Sequence, residues 1–215
     1  IYNDTEEIRR QLNFMRECQK KIKKILAICW GLQVAVTVAG GEVRKSTTGA
    51  HRGIAHNIEI NKLGSDQPIY FNKQKVFNSP AFNFDEVVKI PEGARLLASN
   101  KLNNVMSLRF NRNISDIWGI QYHPEITYEK MISLIHFRKE RLINKGAFKN
   151  QGEINDHLYM IENEKFIFEK NTKKRSNYNQ IVSVLNFLVE NYDWKPVKEN
   201  NNLIGLESPM EHKLH

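Results

Sequence analysis

Ile25-Leu26-Ala27-Ile28-Cys29-Trp30-Gly31-Leu32-Gln33 decides the reading of this chain. Four apolar residues in a row suit a strand buried on both faces, the kind found in parallel sheets. The run ends on a cysteine, and Val34 to Ala39 continue as a helix that Gly40-Gly41 can stop. A nucleophile at a sharp strand-to-helix turn projects from the end of a sheet. The helix that follows points its positive end at the thiol and favours thiolate. The backbone N–H of Trp30 is placed to donate to a developing oxyanion, and Gly31 is expected to let the helix approach its neighbouring strands. On the N-terminal side, Ile8, Leu12, Met15, Cys18 and Ile22 make one apolar helix face, with Asp4 and Glu7 at capping-box spacing. Cys18 on that face reads as core. Helix, buried strand, turn and helix together predict a doubly wound α/β fold with a mostly parallel sheet flanked by helices.

A cysteine nucleophile needs a base. Ile117-Trp118-Gly119-Ile120 is a second apolar run, and it leads into Gln121-Tyr122-His123-Pro124-Glu125. This places His123 at the C-terminal end of a strand, the edge where open α/β sheets build their sites. Glu125, two residues on and beyond a proline, is placed to orient the imidazole as the acid of a Ser-His-Asp triad does. Alone, each element is weak; in combination, residue type, order and context agree.

Between these motifs the pattern is of short strands: Glu42–Arg44, Asn57–Ile60, Ile69–Phe71, Lys75–Phe77, Leu96–Ala98, Val105–Phe110 and Ile117–Tyr122. Thr127 is the expected cap of a helix reaching Ile143, with Met131, Leu134, Ile135 and Phe137 as its apolar positions. Beyond Gly146 the composition turns polar. A helix is expected over 176–192, with a mobile stretch after Lys195 and Trp194 anchoring the tail. The division expected is a main domain over 1–145 and a helical extension over 146–215.

The 215 residues carry 32 Lys and Arg against 24 Asp and Glu, but the basic residues are scattered and no basic stripe alternates with aromatics. Composition therefore disfavours nucleic-acid binding, and Lys20-Lys21, Lys23-Lys24 and Lys173-Lys174-Arg175 read as solvated ends and loops. Two cysteines make no disulfide framework, no apolar run approaches the ~20 residues of a membrane span, and the polar start is not a signal peptide. A reducing, cytoplasmic setting follows as the expectation. The chain lacks a starting Met and reads as a fragment or a processed product.

Ala27-Ile28-Cys29-Trp30-Gly31-Leu32-Gln33 resembles the G-x-C-x-G-x-Q elbow of class I glutamine amidotransferases. Gly119-Ile120-Gln121-Tyr122-His123-Pro124-Glu125 resembles their G-x-Q-[FY]-H-P-E signature. Ile90-Pro91-Glu92-Gly93-Ala94 with Leu97-Ala98-Ser99-Asn100 resembles the stretch before their last strands. The resemblance covers about residues 1–145 and implies Cys29 as nucleophile, His123 as base and Glu125 as its orienter. It also implies Gln33, with Trp30 and Gly31, beside a bound L-glutamine. The implied reaction is hydrolysis of the glutamine side-chain amide through a cysteinyl thioester, with no metal or organic cofactor, the ammonia passing to a synthetase partner. Other readings are a γ-glutamyl hydrolase of the same fold, a glutaminase of the GMP-synthase type, and a non-catalytic interaction protein. Oligomeric state is left open.

Three departures stand out. The family's nucleophile lies further into its domain than residue 29, which implies that the first strands and a Gly-rich loop are missing here. Ala27 stands where Gly is usual, at a cost if the backbone needs a positive φ. Asn83 stands where relatives carry His in H-x-D-x-V. His51 and His56 read as flanking a loop-to-strand transition, Arg52 and His56 as possible cleft residues, and His136 as an ordinary helix residue.

Overall fold

The structure, a computed structural model, describes residues 1–47, 49–71, 73–171, 187, 195–199 and 202–207. Helix α1 (Glu6–Lys21) leads into β1 (Lys24–Ile28), the turn at Cys29 and helix α2 (Trp30–Val38). Then come β2 (Glu42–Lys45), β3 (His51–Ile60), the short helix α3 (Lys62–Ser65) and a 3-10 turn (Pro68–Tyr70). Next are β4 (Val76–Asn83), β5 (Asp85–Lys89), β6 (Arg95–Ser99), β7 (Ser107–Arg112), β8 (Ser115–Ile120) and α4 (Tyr128–Asn144). Helix α5 (Gln151–Asn171) follows, and β9 (Lys195–Glu199) pairs antiparallel with β10 (Asn202–Glu207).

Six strands form the main sheet in the order β1-β8-β7-β6-β3-β4. The α/β architecture with flanking helices is as expected, but the sheet is mixed and not mostly parallel. Only β1 and β8 run parallel, and the other neighbours are antiparallel. The reason is local: β6, β7 and β8 follow one another through short turns, and such turns reverse the chain, whereas a parallel pair needs a long crossover. The run from α2 to β7 is that crossover.

The alternation of β8 divides the core. Ile117 faces α2 and packs with Leu32, Ala35, Val36 and Leu108. Trp118 and Ile120 face the other way, onto Ile58, Leu97, Met106 and Tyr122. A third cluster forms where α4 and α5 cover Ile54 of β3 with Met131, Ile135, Phe148, Leu158 and Ile161.

Several expectations change in detail. Thr5, not Asp4, caps α1, accepting from the Ile8 N–H at 3.3 Å, while Asp4 pairs with Arg9 at 2.8 Å. Thr5 holds the spacing from which a side-chain oxygen reaches the third helical N–H. Ile69–Phe71 is no strand: Pro68 opens a 3-10 turn there, its fixed φ and absent N–H suiting a helical start. Thr127 caps α4 as expected, accepting from Lys130 N–H at 3.2 Å, but Phe137 is 87% exposed, opposite Met131 and Ile135. Helix α5 falls before the helix expected over 176–192, of which only Phe187 is described; its ring packs edge-on against Trp118 at 5.4 Å. Lys173-Lys174-Arg175 and Trp194 lie outside the described residues. The stretch from Lys195, expected as a mobile tail, holds the β9–β10 pair; in sequence, β-prone Val197, Ile204 and Leu206 lie on either side of three asparagines, a residue type that favours turns.

Candidate active site

Cys29 adopts φ 51° and ψ −106°, outside the helical and extended regions. Backbone strain at a non-glycine residue costs on the order of 1–3 kcal/mol and persists only where its surroundings impose it. Here the Cys29 N–H donates to Ile120 O at 2.7 Å, extending the β1–β8 ladder one step, and its carbonyl accepts from Gln33 N–H at 3.2 Å to begin α2. The thiol is thereby raised from the sheet at the N-terminus of a helix.

His123 reaches the same place from β8. Its N–H donates to Pro80 O at 2.7 Å and its carbonyl accepts from Ile126 at 3.2 Å, so the loop is pinned on both sides. Nδ1 donates to Glu125 Oε1 at 2.6 Å, which leaves Nε2 for the hydrogen bond to Cys29. Burial alone would lower the pKa of His123, but hydrogen bonds to Cys29 and Glu125 and their charges outweigh it and raise it to about 9. The imidazolium is thus the resting form at neutral pH, beside the Cys29 sulfur. The sequence-expected Cys29, His123 and Glu125 therefore come together.

Gln33 sits one side chain away from the nucleophile. It is buried, and its Nε2 donates to Asp85 O and to Gln121 Oε1, both at 3.2 Å. Gln121 in turn donates from Nε2 to Cys29 Sγ at 3.3 Å. A backbone carbonyl can only accept, so Asp85 fixes which end of Gln33 faces it, and Gln33 then fixes which end of Gln121 meets the sulfur. Asn83 joins the same carbonyl through Nδ2 at 3.0 Å and accepts from His51 Nδ1 at 2.9 Å. His51 Nε2 then accepts from Asn100 Nδ2 at 2.9 Å. Burial lowers the pKa of His51 against its two amide hydrogen bonds, which suits this neutral, one-donor tautomer. Asn83 is thus a buried link, and the Gln121 contact is one that the motif's spacing alone did not reveal.

Trp30 is 38% exposed at the first turn of α2, and its ring N–H donates to Gln11 of α1. Gly31 does not bring the helix close: a Cβ there would meet only the Ala27 Cβ, at 3.9 Å. The tight approach is at Gly119, where a Cβ would overlap the buried Leu32 side chain. Ala27 sits in regular strand with no positive φ, so the expected cost does not arise. His51 opens β3, at a loop-to-strand transition as expected, but His56 lies within the strand; Arg52 and His56 serve α5, Arg52 pairing with Glu153 at 3.0 Å and His56 with Glu164 at 3.8 Å. His136 is exposed on α4, and Cys18 is a free, half-buried thiol. Lys20 and Lys21 pair with Glu17, and Lys24 with Asp116.

Phe82 completes the surroundings of the nucleophile, its carbonyl 3.9 Å from Cys29 Sγ. Phe82 and His123 also line a recess of about 310 Å³ that opens along α4. No helix among the described residues is long and apolar enough to cross a membrane.

Among known proteins, the chain is 28% identical over 148 residues to a γ-glutamyl-L-1-hydroxyisopropylamide hydrolase of a Pseudomonas species, covering 67% of this chain and 50% of that protein. It is 31% identical over 106 residues to one subunit of the glutamine-hydrolysing GMP synthase from Methanocaldococcus jannaschii, covering 48% of this chain and 52% of the relative. It therefore spans about half the length of these curated relatives. A crystal structure of a glutamine amidotransferase from Thermotoga maritima superposes with a TM-score of 0.59 over 85% of this chain and 68% of its own, at 17% identity, a likeness of fold. The glutamine amidotransferase class-I family model matches residues 2–139, more than half of the 215, and the chain belongs to that family.

Proposed function

We propose that residues 1–145 form the hydrolytic unit, with 146–215 as an appendage, and that it cleaves the side-chain amide of glutamine. The observation that carries this reading is the junction of Cys29 with a histidine whose far nitrogen is held by Glu125 at 2.6 Å. The Cys29 thiolate attacks the amide carbon, and the carbonyl oxygen becomes an oxyanion. The Trp30 N–H, at the positive end of α2, is the donor placed to receive it. His123 passes its Nε2 proton to the amide nitrogen, the C–N bond breaks and ammonia leaves. Water, deprotonated by the now neutral His123, then cleaves the γ-glutamyl thioester and restores the thiol.

The likeness to one component of a GMP synthase supports an ammonia-accepting synthetase as the partner of the whole protein. The test is ammonia and glutamate release from L-glutamine by the intact chain and by Cys29→Ala. Release that stops with the substitution is the expected result. Equal release by both, or glutamate formation unaffected by His123→Ala, would refute the assignment.

A further inference from the structure

We propose that His51 is a positioning residue for the nucleophile. Through Asn83 it pins the corner between β4 and β5, and that corner sets Gln33 and Gln121 against the Cys29 sulfur. This rests on Cys29 being the attacking group of the proposed reaction.

The polarity of the chain is fixed at its far end. Asn100 Oδ1 accepts from the backbone N–H groups of Leu102 at 3.2 Å and Asn103 at 2.9 Å. Its amide nitrogen is therefore turned to His51 Nε2 at 2.9 Å and to the His56 carbonyl at 3.2 Å. Nε2 faces an N–H and has to accept, so the ring proton sits on Nδ1. Nδ1 then donates to Asn83 Oδ1 at 2.9 Å, which turns Asn83 Nδ2 to the Asp85 carbonyl at 3.0 Å. Each step leaves the next group one orientation. Both His51 and Asn83 are buried, which shields these bonds from competing solvent.

The corner carries this order to the sulfur. Asn83 ends β4, Asp85 begins β5, and Phe84 makes the bend between them. Strand pairing holds one side of the bend, with Ser46 N–H donating to Phe84 O at 2.9 Å. Successive strand residues point their backbone groups to opposite sides, so the Asp85 carbonyl faces away from β2, toward the amides of Asn83 and Gln33. The Asn83 side chain thus spans the bend and ties its two ends together. The same corner meets the nucleophile twice. Phe82 O lies 3.9 Å from Cys29 Sγ, and Asp85 O holds Gln33, which holds Gln121, which donates to Sγ at 3.3 Å. A buried amide oxygen without a donor is costly. Loss of the Nδ1–H bond therefore favours Asn83 turning away, and the bend loses its tie.

The experiment alkylates the intact chain with iodoacetamide across a range of pH and follows Cys29 and Cys18 separately by peptide mass. Alkylation needs no substrate, so it reads the sulfur whether or not glutamine is cleaved; glutamate release measured in parallel reports the proposed reaction. Asparagine places an amide nitrogen where His51 has Nδ1, whereas glutamine reaches the place of Nε2. His51→Asn keeps the donor to Asn83 and should leave the Cys29 curve where wild type has it. His51→Gln loses that donor. Below the midpoint of the curve its Cys29 rate should fall about threefold to tenfold, as befits one lost hydrogen bond, and the curve should move to higher pH by about half a unit to one unit. Asn83→Ala removes the tie from its other end and should reproduce the His51→Gln result. Cys18, the free thiol of α1, should react as in wild type throughout. In a Gln121→Met background the effect of His51→Gln should vanish. Equal Cys29 curves in His51→Asn and His51→Gln, or a loss that persists beside Gln121→Met, would overturn the proposal. So would faster alkylation of both cysteines, which would make His51 a support of the fold at large.

Discussion

The side-chain amide of Gln33 donates to the side-chain carbonyl of Gln121 across 3.2 Å. The contact matters because Gln121 meets the nucleophile and Gln33 does not. Gln33 acts through Gln121, holding it so that an N–H and not an oxygen faces the sulfur. A hydrogen bond to a charged acceptor is worth on the order of 1.5–3 kcal/mol. Gln121→Met should therefore slow alkylation of Cys29 by iodoacetamide at pH 7 by about tenfold or more. Gln33→Met should slow the alkylation as well, and the double substitution should be no worse than Gln121→Met alone. Additive losses would mean that Gln33 acts by some other route.

Glu125→Gln removes a charge, and turns a charge-assisted hydrogen bond into a neutral one, where both help to hold the His123 pKa near 9. An NMR titration of the imidazole should show a lower value, and amide hydrolysis should fall by about tenfold or more, a factor of ten corresponding to one unit. The sign for stability follows from a raised folded-state value. The His123 contribution is whole below its ordinary 6.5 and is lost as pH rises through about 9. Urea unfolding should find wild type ahead of Glu125→Gln at pH 6, with the gap closed by pH ~10.

Asp116 behaves oppositely. Burial pushes its pKa up, but the Arg109 fork at 2.9 and 2.7 Å, Lys24 at 2.8 Å and Trp118 prevail and hold it at about 2. Its contribution is present above the ordinary carboxyl value of 3.8 and is lost as pH falls through about 2. Asp116→Asn should cost about 1–2 kcal/mol at pH 7, allowing for partial solvent screening. In urea melts the difference should shrink steadily below pH 4.

Gly119→Ala puts a methyl group into the space of Leu32, a fully buried residue of α2 that cannot swing aside into solvent. Overpacking of this kind costs about 1–3 kcal/mol. Because α2 begins at the nucleophile, activity should fall beyond what the stability loss explains. Gly31→Ala should be milder, since only an ordinary contact awaits its Cβ. Thermal melts and turnover of the two variants rank them directly.

Much of the site was legible because its residues sit within a few positions of strand ends. Apolar runs before Cys29 and His123 announced two strands, and their C-terminal ends coincide in space once β1 and β8 pair in parallel. The buried relay was not legible: Gln33, Asp85 and Gln121 are far apart in sequence, and the carbonyl that orients Gln33 belongs to the Asp85 backbone, which leaves no mark on residue type. The same holds for pairing direction, which the residue types of β6 and β7 do not announce. Helix α5 has a readable stripe, since Ile154, Leu158 and Ile161 stand at offsets of four and three on one helix face, but the stripe is short and lies in an otherwise polar stretch. The proline at 68 was readable, and turned the expected strand into a helical turn.

The pairing of Ala27 with Gly119 and of Ile28 with Ile120 has a last consequence. Nucleophile and base stand on adjoining rails, Cys29 one residue and His123 three residues beyond that ladder. A slip of one residue would turn every side chain of a rail to the opposite face. A misaligned molecule could keep its helices and much of its compactness and still be wholly inert. Stoichiometric labelling of Cys29 would then count molecules with correctly aligned rails, a census that circular dichroism or gel filtration of the same sample would miss.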